Sequence, residues 1–272
     1  MNRILSLSSE SDRRLAATAT AGGAPLFYGF GNFCALAARP DQTSVLRINR
    51  LKGRPAGQAG SVTSDPGRLH MAFDWRRVPR GMEPEQLTLM MTEFMSLGPI
   101  GIRGPAARLV PDHLTVMDGP VRTVQLITPG VRCRSNLLIG EILDRIGEDL
   151  LFITSANTSN HRSGRLEAAH CEMDEIRREF GRRAEAVLIG HDDEVANRAV
   201  YRKHLPCSTS IVSFHHDIRD GDRPAVILER HGSLGVDDVR AIASRHAFDL
   251  VVAPSAQRRL PVRWPAAERS AA

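Results

Sequence analysis

The 272-residue sequence predicts a single α/β domain, in the α+β sense of a twisted, open, mixed sheet flanked by helices. Three observations carry that expectation. Short apolar segments of strand character alternate with amphipathic segments of helical period along the whole chain. Hydrophobic residues make up 42% and charged residues 25%, an ordinary globular composition that excludes wholesale disorder. The length suffices for one large core, and no internal repeat divides it.

The elements follow in order. Residues 9–20 (SESDRRLAATAT) combine Ser and Asp cap candidates with good helix formers, and Gly22-Gly23 stops them before the apolar APLFYGF, a strand. In DQTSVLRINRLKGRP, Asp41 can cap a helix whose apolar face carries Val45, Leu46, Ile48 and Leu51, with Gly53 and Pro55 ending it. Lys52 and Arg54 then fall on the turn that leaves this helix. Residues 69–75 (LHMAFDW) read as a strand, 84–97 as a helix with Pro84 early, 121–127 as a strand and 135–147 as an amphipathic helix. The methionines and Phe94 of the 84–97 helix are core residues. LLFIT follows at once as a strand. A charged helix over 172–183, strands over 186–190, 208–214 and 225–230, a helix over 236–246 and a last strand, FDLVVA, complete the pattern. The domain is expected over 1–254, with 255–272, rich in Arg, Pro and Ala, as a loosely ordered tail.

The 36 basic against 31 acidic side chains give a net charge of +5. Bases and acids interleave, as in RLEAAHCEMDEIRREFGRR, so a solvated helix face accounts for them better than a nucleic-acid stripe. Almost every base is arginine; only Lys52 and Lys203 are lysines. The cysteines Cys34, Cys133, Cys171 and Cys207 are scattered without metal-ligand spacing, which suggests free thiols in a reducing cytoplasm and no metal held by the protein. No apolar run approaches the roughly 18 residues that span a bilayer.

Neither GxGxxG nor GxxxxGK[ST] occurs, so any nucleotide is held without the two familiar backbone cradles. Polar groups gather instead at element ends: Lys52 and Arg54 after a helix, Ser155 and Asn157 after a strand, Thr209 and Ser210 in a short strand, Arg230 at a strand's end. Ligand sites in open sheets form at such ends.

Taken together these residues resemble the YrdC-like family, which includes threonylcarbamoyl-adenylate synthases and the YrdC-like domains of carbamoyl-transfer proteins. The matching features run in order: KGRP (52–55), GPI (98–100), GVRCR (130–134) in the place of the family's VRVP strand, ITSANTS (153–159), and TSIV (209–212) with LERHG (228–232). The resemblance spans roughly residues 15–245, and the KxR and SAN pair is its specific part. It implies the YrdC-like fold and an enzyme that joins ATP, bicarbonate and an amino acid into a carbamoyl-adenylate, releasing pyrophosphate, with Mg²⁺ entering on the triphosphate. By resemblance Lys52, Arg54, Ser155 and Asn157 form the catalytic set. Thr209, Ser210 and Arg230 close on the nucleotide, Arg132 meets a carboxylate, and Leu26, Tyr28 and Thr154 border the substrate. The family's chemistry serves tRNA modification, so tRNA or a downstream transferase is an implied partner. A tRNA- or double-stranded-RNA-binding module, and a nucleotide-binding paralogue without turnover, stand as alternatives.

The sequence departs from the family on one side. The PT-x-TVYGL strand is GAPLFYGF, with Ala24 and Leu26 in the threonine places. Gly101 replaces a threonine, Arg134 a proline and Asn160 a glycine, and a polar GQAGSVTSDPG follows KGRP. A site built to bond a hydroxyl discriminates far better than an apolar one, so threonine is undermined as the substrate, and a relative that takes another amine or amino acid stands beside a divergent threonine enzyme.

Overall fold

Capping chemistry sets the helix boundaries that position the site. In the computed structural model, which describes residues 3–165, 167–181, 185–220 and 222–264, Ser9 accepts a hydrogen bond from the Asp12 amide at 3.2 Å and starts α1 (Glu10–Ala21). Asp41 likewise accepts from the Ser44 amide at 2.9 Å at the head of α2 (Gln42–Lys52). The far end of α2 is a Schellman turn. Gly53 takes φ 70°, its amide donates to the Arg50 carbonyl at 3.1 Å, and the Arg54 amide donates to the Asn49 carbonyl at 2.8 Å.

The remaining helices are α3 (Pro84–Leu97), α4 (Ser135–Ile146), α5 (Asn160–Ser163), α6 (Met173–Phe180), α7 (Glu194–Val200) and α8 (Val236–Arg245). The strands are β1 (Ile4–Ser6), β2 (Leu26–Phe30), β3 (Phe33–Ala38), β4 (Ser61–Thr63), β5 (Ile100–Pro105), β6 (Val116–Asp118), β7 (Val121–Thr128), β8 (Leu151–Ser155), β9 (Val187–Gly190), β10 (Ile211–Ser213), β11 (Arg219–Asp220), β12 (Arg223–Arg230) and β13 (Asp249–Val252). They form one sheet in the order β1-β9-β2-β3-β8-β4-β7-β5-β10-β12-β11, with β13 beside β12 and β6 beside β7. Parallel pairs such as β1 with β9 and β5 with β10 coexist with antiparallel pairs such as β3 with β8, so the sheet is mixed, as the sequence predicts.

Both faces of the sheet are covered, and strand alternation divides the core accordingly. In β3, Phe33, Ala35 and Ala37 join α1 and α4 on one face, while Cys34, Leu36 and Ala38 join α2, α3, α6 and α8 on the other. Leu87, Met90, Met91 and Phe94 of α3 are buried in that second cluster, each worth about 1.5–3 kcal/mol on full burial. The four cysteines are buried free thiols. No helix among the described residues is long and apolar enough to cross a membrane.

Three expectations change. Residues 69–75 are not a strand: Leu69–Ala72 and Trp75–Arg77 form single 3-10 turns, with Asp74 capping the second through the Arg76 amide at 3.2 Å. GVRCR is a turn into α4 and not a strand, closed by Cys133 amide to Gly130 carbonyl at 3.2 Å and Asn136 Nδ2 to the same carbonyl at 2.8 Å. The segment from residue 255, expected to be loose, is tied down as far as 264. The Leu260 amide donates to the His231 carbonyl at 2.8 Å, the Arg263 amide to the Pro206 carbonyl at 3.0 Å, and the Arg263 guanidinium reaches His170 at 2.6 Å. Residues 265–272, and 182–183 at the end of the expected charged helix, lie outside the described residues.

Candidate functional site

The LLFITSANTSN strand and loop end at a cleft, and their polar residues explain its shape. Past Ser155 the chain leaves the sheet, and each small polar group closes the loop on itself or on a neighbour. Ser155 Oγ donates to Asn157 Oδ1 at 2.6 Å, Asn157 Nδ2 donates to the Thr158 carbonyl at 2.9 Å, and the Ala156 amide donates to the Cys34 carbonyl at 3.0 Å. Below, the Thr158 amide donates to Glu179 Oε1 at 3.0 Å. Burial alone would raise the Glu179 carboxyl, yet hydrogen bonds from His170 and Thr158 outweigh it and bring the group down to about 2.

Lys52 lies beneath this loop. Its side chain is fully buried, and Nζ donates to Thr154 Oγ1 at 3.3 Å and to the Ser155 carbonyl, while the Lys52 carbonyl accepts from the Ser159 amide at 3.0 Å. Burial pushes its ammonium well below the ordinary lysine value, with Arg54 adding to the effect and Glu179 opposing it. Lys52 therefore pins the loop from below and lines neither part of the cleft.

Arg54, two residues on, has the opposite environment. The Schellman turn at Gly53 sends it over the rim of a cavity of about 260 Å³ lined also by Gln58, Ser61, Arg103, Gln125, Thr154, Ser155, Ser208, Thr209 and Arg230. A second lobe of about 180 Å³ shares Arg54, Gln58, Ser155, Ser208 and Arg230, and adds Asn157, Glu167, Leu260 and Pro261. The buried Arg54 Nε has no hydrogen-bond partner, and burial holds the guanidinium down at about 10. Arg230 is also held at about 10, by burial first and then by Arg103 and Arg54 nearby; it donates to the Thr209 carbonyl at 2.8 Å and to Thr209 Oγ1 at 3.0 Å. Arg103 is the paired member, with Glu229 at 3.2 Å and Gln125 at 3.1 Å. Three guanidinium groups thus line the larger lobe with no carboxylate among its lining residues. With Arg103 paired to Glu229, the desolvated Arg54 and Arg230 are the cations that suit the lobe to an anion.

The structure gathers Arg54, Thr154, Ser155, Thr209 and Arg230 at the larger lobe and Asn157 at the smaller. It leaves other expected residues elsewhere. Thr209 and Ser210 precede β10 in a loop, and Ser210 is buried with its hydroxyl spent on the chain: it donates to the Leu234 carbonyl at 2.7 Å and accepts from the Gly232 amide at 3.0 Å. A Cβ on Gly232 would meet the Ser208 carbonyl at 2.2 Å, so only glycine lets LERHG pack on that loop. Leu26 and Tyr28 are wholly buried on the α1 and α4 side of the sheet and line neither lobe. Arg132 stands exposed on the turn before α4, away from both lobes. Gln58, Ser61, Arg103, Gln125 and Ser208 were missed. Arg103 and Gln125 meet only through the pairing of β5 with β7, which no local pattern announces, whereas the polar, glycine-bearing run after KGRP was a usable signal for Gln58 and Ser61.

The sheet order, the two helical layers and the cleft at the strand ends define the YrdC-like fold. The particular proteins that share it are known from solved structures. The Sua5 of P. abyssi, complexed with L-threonine, aligns with a TM-score of 0.63 and 16% identity over 94% of this chain and 65% of its own length. E. coli YciO aligns with a TM-score of 0.55 and 16% identity over 83% of this chain and 94% of its own. A hypothetical protein of Streptococcus mutans gives 0.62 and 10% over 95% and 98%. The chain thus spans about two thirds of the length of that Sua5. These identities establish the fold, and the reaction has to be argued from the site. No protein-family model matches the sequence, and no curated protein matches it.

Proposed function

We propose that the protein forms a carbamoyl-adenylate from ATP, bicarbonate and an amine or amino acid. The amine and bicarbonate condense to a carbamate with loss of water. A carbamate oxygen attacks the α-phosphorus, and the bond to pyrophosphate breaks as the new P–O bond forms. Both reactants are anions, so the work falls to fixed cations that offset their repulsion and hold them in line. The observation that carries this reading is the larger lobe, with three arginines and no lining carboxylate. Arg54 and Arg230 bind the phosphates and the carbamate, Ser155 and Thr209 orient them, and Asn157 fixes the loop. The larger lobe offers no carboxylate to a cation, so Mg²⁺ is carried in on the triphosphate. The L-threonine in the P. abyssi Sua5 favours an amino acid as the amine.

The test is incubation with α-labelled ATP, Mg²⁺, bicarbonate and a panel of amino acids and amines, reading pyrophosphate and the mass of the AMP adduct. One panel member gives a bicarbonate-dependent adenylate. Nucleotide binding with no pyrophosphate from any member would establish a binding protein without turnover, and tRNA binding indifferent to ATP would establish an RNA module.

A further inference from the structure

A second constellation lies at the outer corner of the sheet, where the β6–β7 hairpin meets β10 and β12. Asp118 ends β6, His215 and His216 follow β10 after Phe214, and Glu229 is the next-to-last residue of β12. One ligand atom from each of these four side chains lies within 4.8 Å of the others. The geometry points to a divalent transition-metal site of the zinc class, held by Asp118, His215, His216 and Glu229.

The backbone explains the convergence. Between β10 and β12 the register slips: Ile211 faces Arg230 while Val212 faces Leu228, which leaves Glu229 as a bulged residue without a partner. A bulge re-aims a side chain that strict alternation would send to the other face. Here it lets consecutive residues serve neighbouring sites, Arg230 in the cavity and Glu229 at the corner. Both imidazoles turn Nε2 to one oxygen, Asp118 Oδ2, at 2.9 Å for His215 and 3.3 Å for His216, and their ring centroids are 3.9 Å apart.

A plain ion-pair reading accounts for each contact singly. It does not account for two adjacent histidines aimed at one carboxylate oxygen with a second carboxylate beside them. Donors at about 2.0–2.2 Å from a tetrahedral ion lie roughly 3.3–3.6 Å apart, so side-chain rotations of about an ångström close this cluster onto a metal. Two imidazoles and two carboxylates favour zinc and its neighbours over Mg²⁺ or Ca²⁺, which take all-oxygen sets. No metal motif is legible in the sequence because the ligands come from three separated segments. Arg103, on Glu229 at 3.2 Å, also lines the anion cavity, so an ion at Glu229 competes for the carboxylate that neutralises this arginine.

The experiment needs no nucleotide and stands apart from the proposed reaction. Tag-free protein stripped with a chelator is titrated with Zn²⁺ against a chromophoric competitor, and Co²⁺ substitution is followed by visible absorption. The wild type binds one equivalent of Zn²⁺ that excess Mg²⁺ does not displace, and the Co²⁺ form shows the strong visible bands of a tetrahedral centre. Asp118→Asn and His216→Ala each weaken Zn²⁺ by more than about tenfold, beyond what loss of an outer-shell partner costs at its mildest. His216 is one-third exposed, so its alanine variant keeps the fold, which thermal unfolding checks. Absence of stoichiometric Zn²⁺ on the wild type, or unchanged affinity in His216→Ala, overturns the proposal.

Discussion

Lys52 and Arg54 stand two residues apart on one turn, yet the protein treats their charges in opposite ways. At the SAN loop Lys52 bonds Thr154 and the Ser155 carbonyl from below, and Arg263 reaches His170. Arg54 faces the larger lobe, which no carboxylate lines, and its buried Nε has no partner. The difference teaches that motif residues adjacent in sequence can be treated oppositely by the fold, one bonded into the loop and the other left open to the cleft.

The largest test of this division is Arg54→Ala. Pyrophosphate release falls about 10²–10³-fold, the scale of losing one preorganised donor, while thermal stability changes by less than about 1 kcal/mol. A destabilised but active variant would reverse the assignment. Lys52→Ala comes next and gives the complementary profile. Removing a fully buried side chain with its bonds costs about 2–4 kcal/mol in urea unfolding and loosens the SAN loop. An unfolding midpoint equal to the wild type would dissolve the contrast. The smallest effect is a pH slope from Glu179, which is held at about 2 against an ordinary 4.5. Between those values the unfolded chain binds more protons, so stability is present above about pH 4.5 and is lost as pH falls towards 2. Solvent screening at this partly exposed carboxylate limits the effect to about 1 kcal/mol. Glu179→Gln flattens that slope, and acid titration of the unfolding midpoint measures it.

How much of this was legible depends on whether the signal is local. Helix α3 carries its own start at Pro84 and stop at Gly98, and it runs over the residues the pattern marked, Pro84–Leu97. β3 went unread because Ala35, Ala37 and Ala38 have little strand propensity and take their place only from burial on both faces. The 69–75 segment misled because its apolar residues suit a strand, whereas two single 3-10 turns leave almost no periodic trace. At the site, Arg54, Ser155 and Arg230 were readable from motifs. Placing Lys52 under the floor, Ser210 in a backbone clasp and Leu26 in the closed core against α1 and α4 required the tertiary fold, since a motif records residue order and not what each side chain packs against.

The edge of the sheet bears on how the chain is made. Ile4 pairs with Leu188, so the first strand has no partner until roughly 180 more residues exist. At about 5–20 residues per second that is a wait of roughly 10–40 s on the ribosome. β2 pairs at once with β3, but its other edge shares the delay, because its Leu26 lies against Val187 of the same late strand. One edge of the β2–β3 hairpin is thus held open through most of synthesis, and β9 joins it to β1 when it emerges.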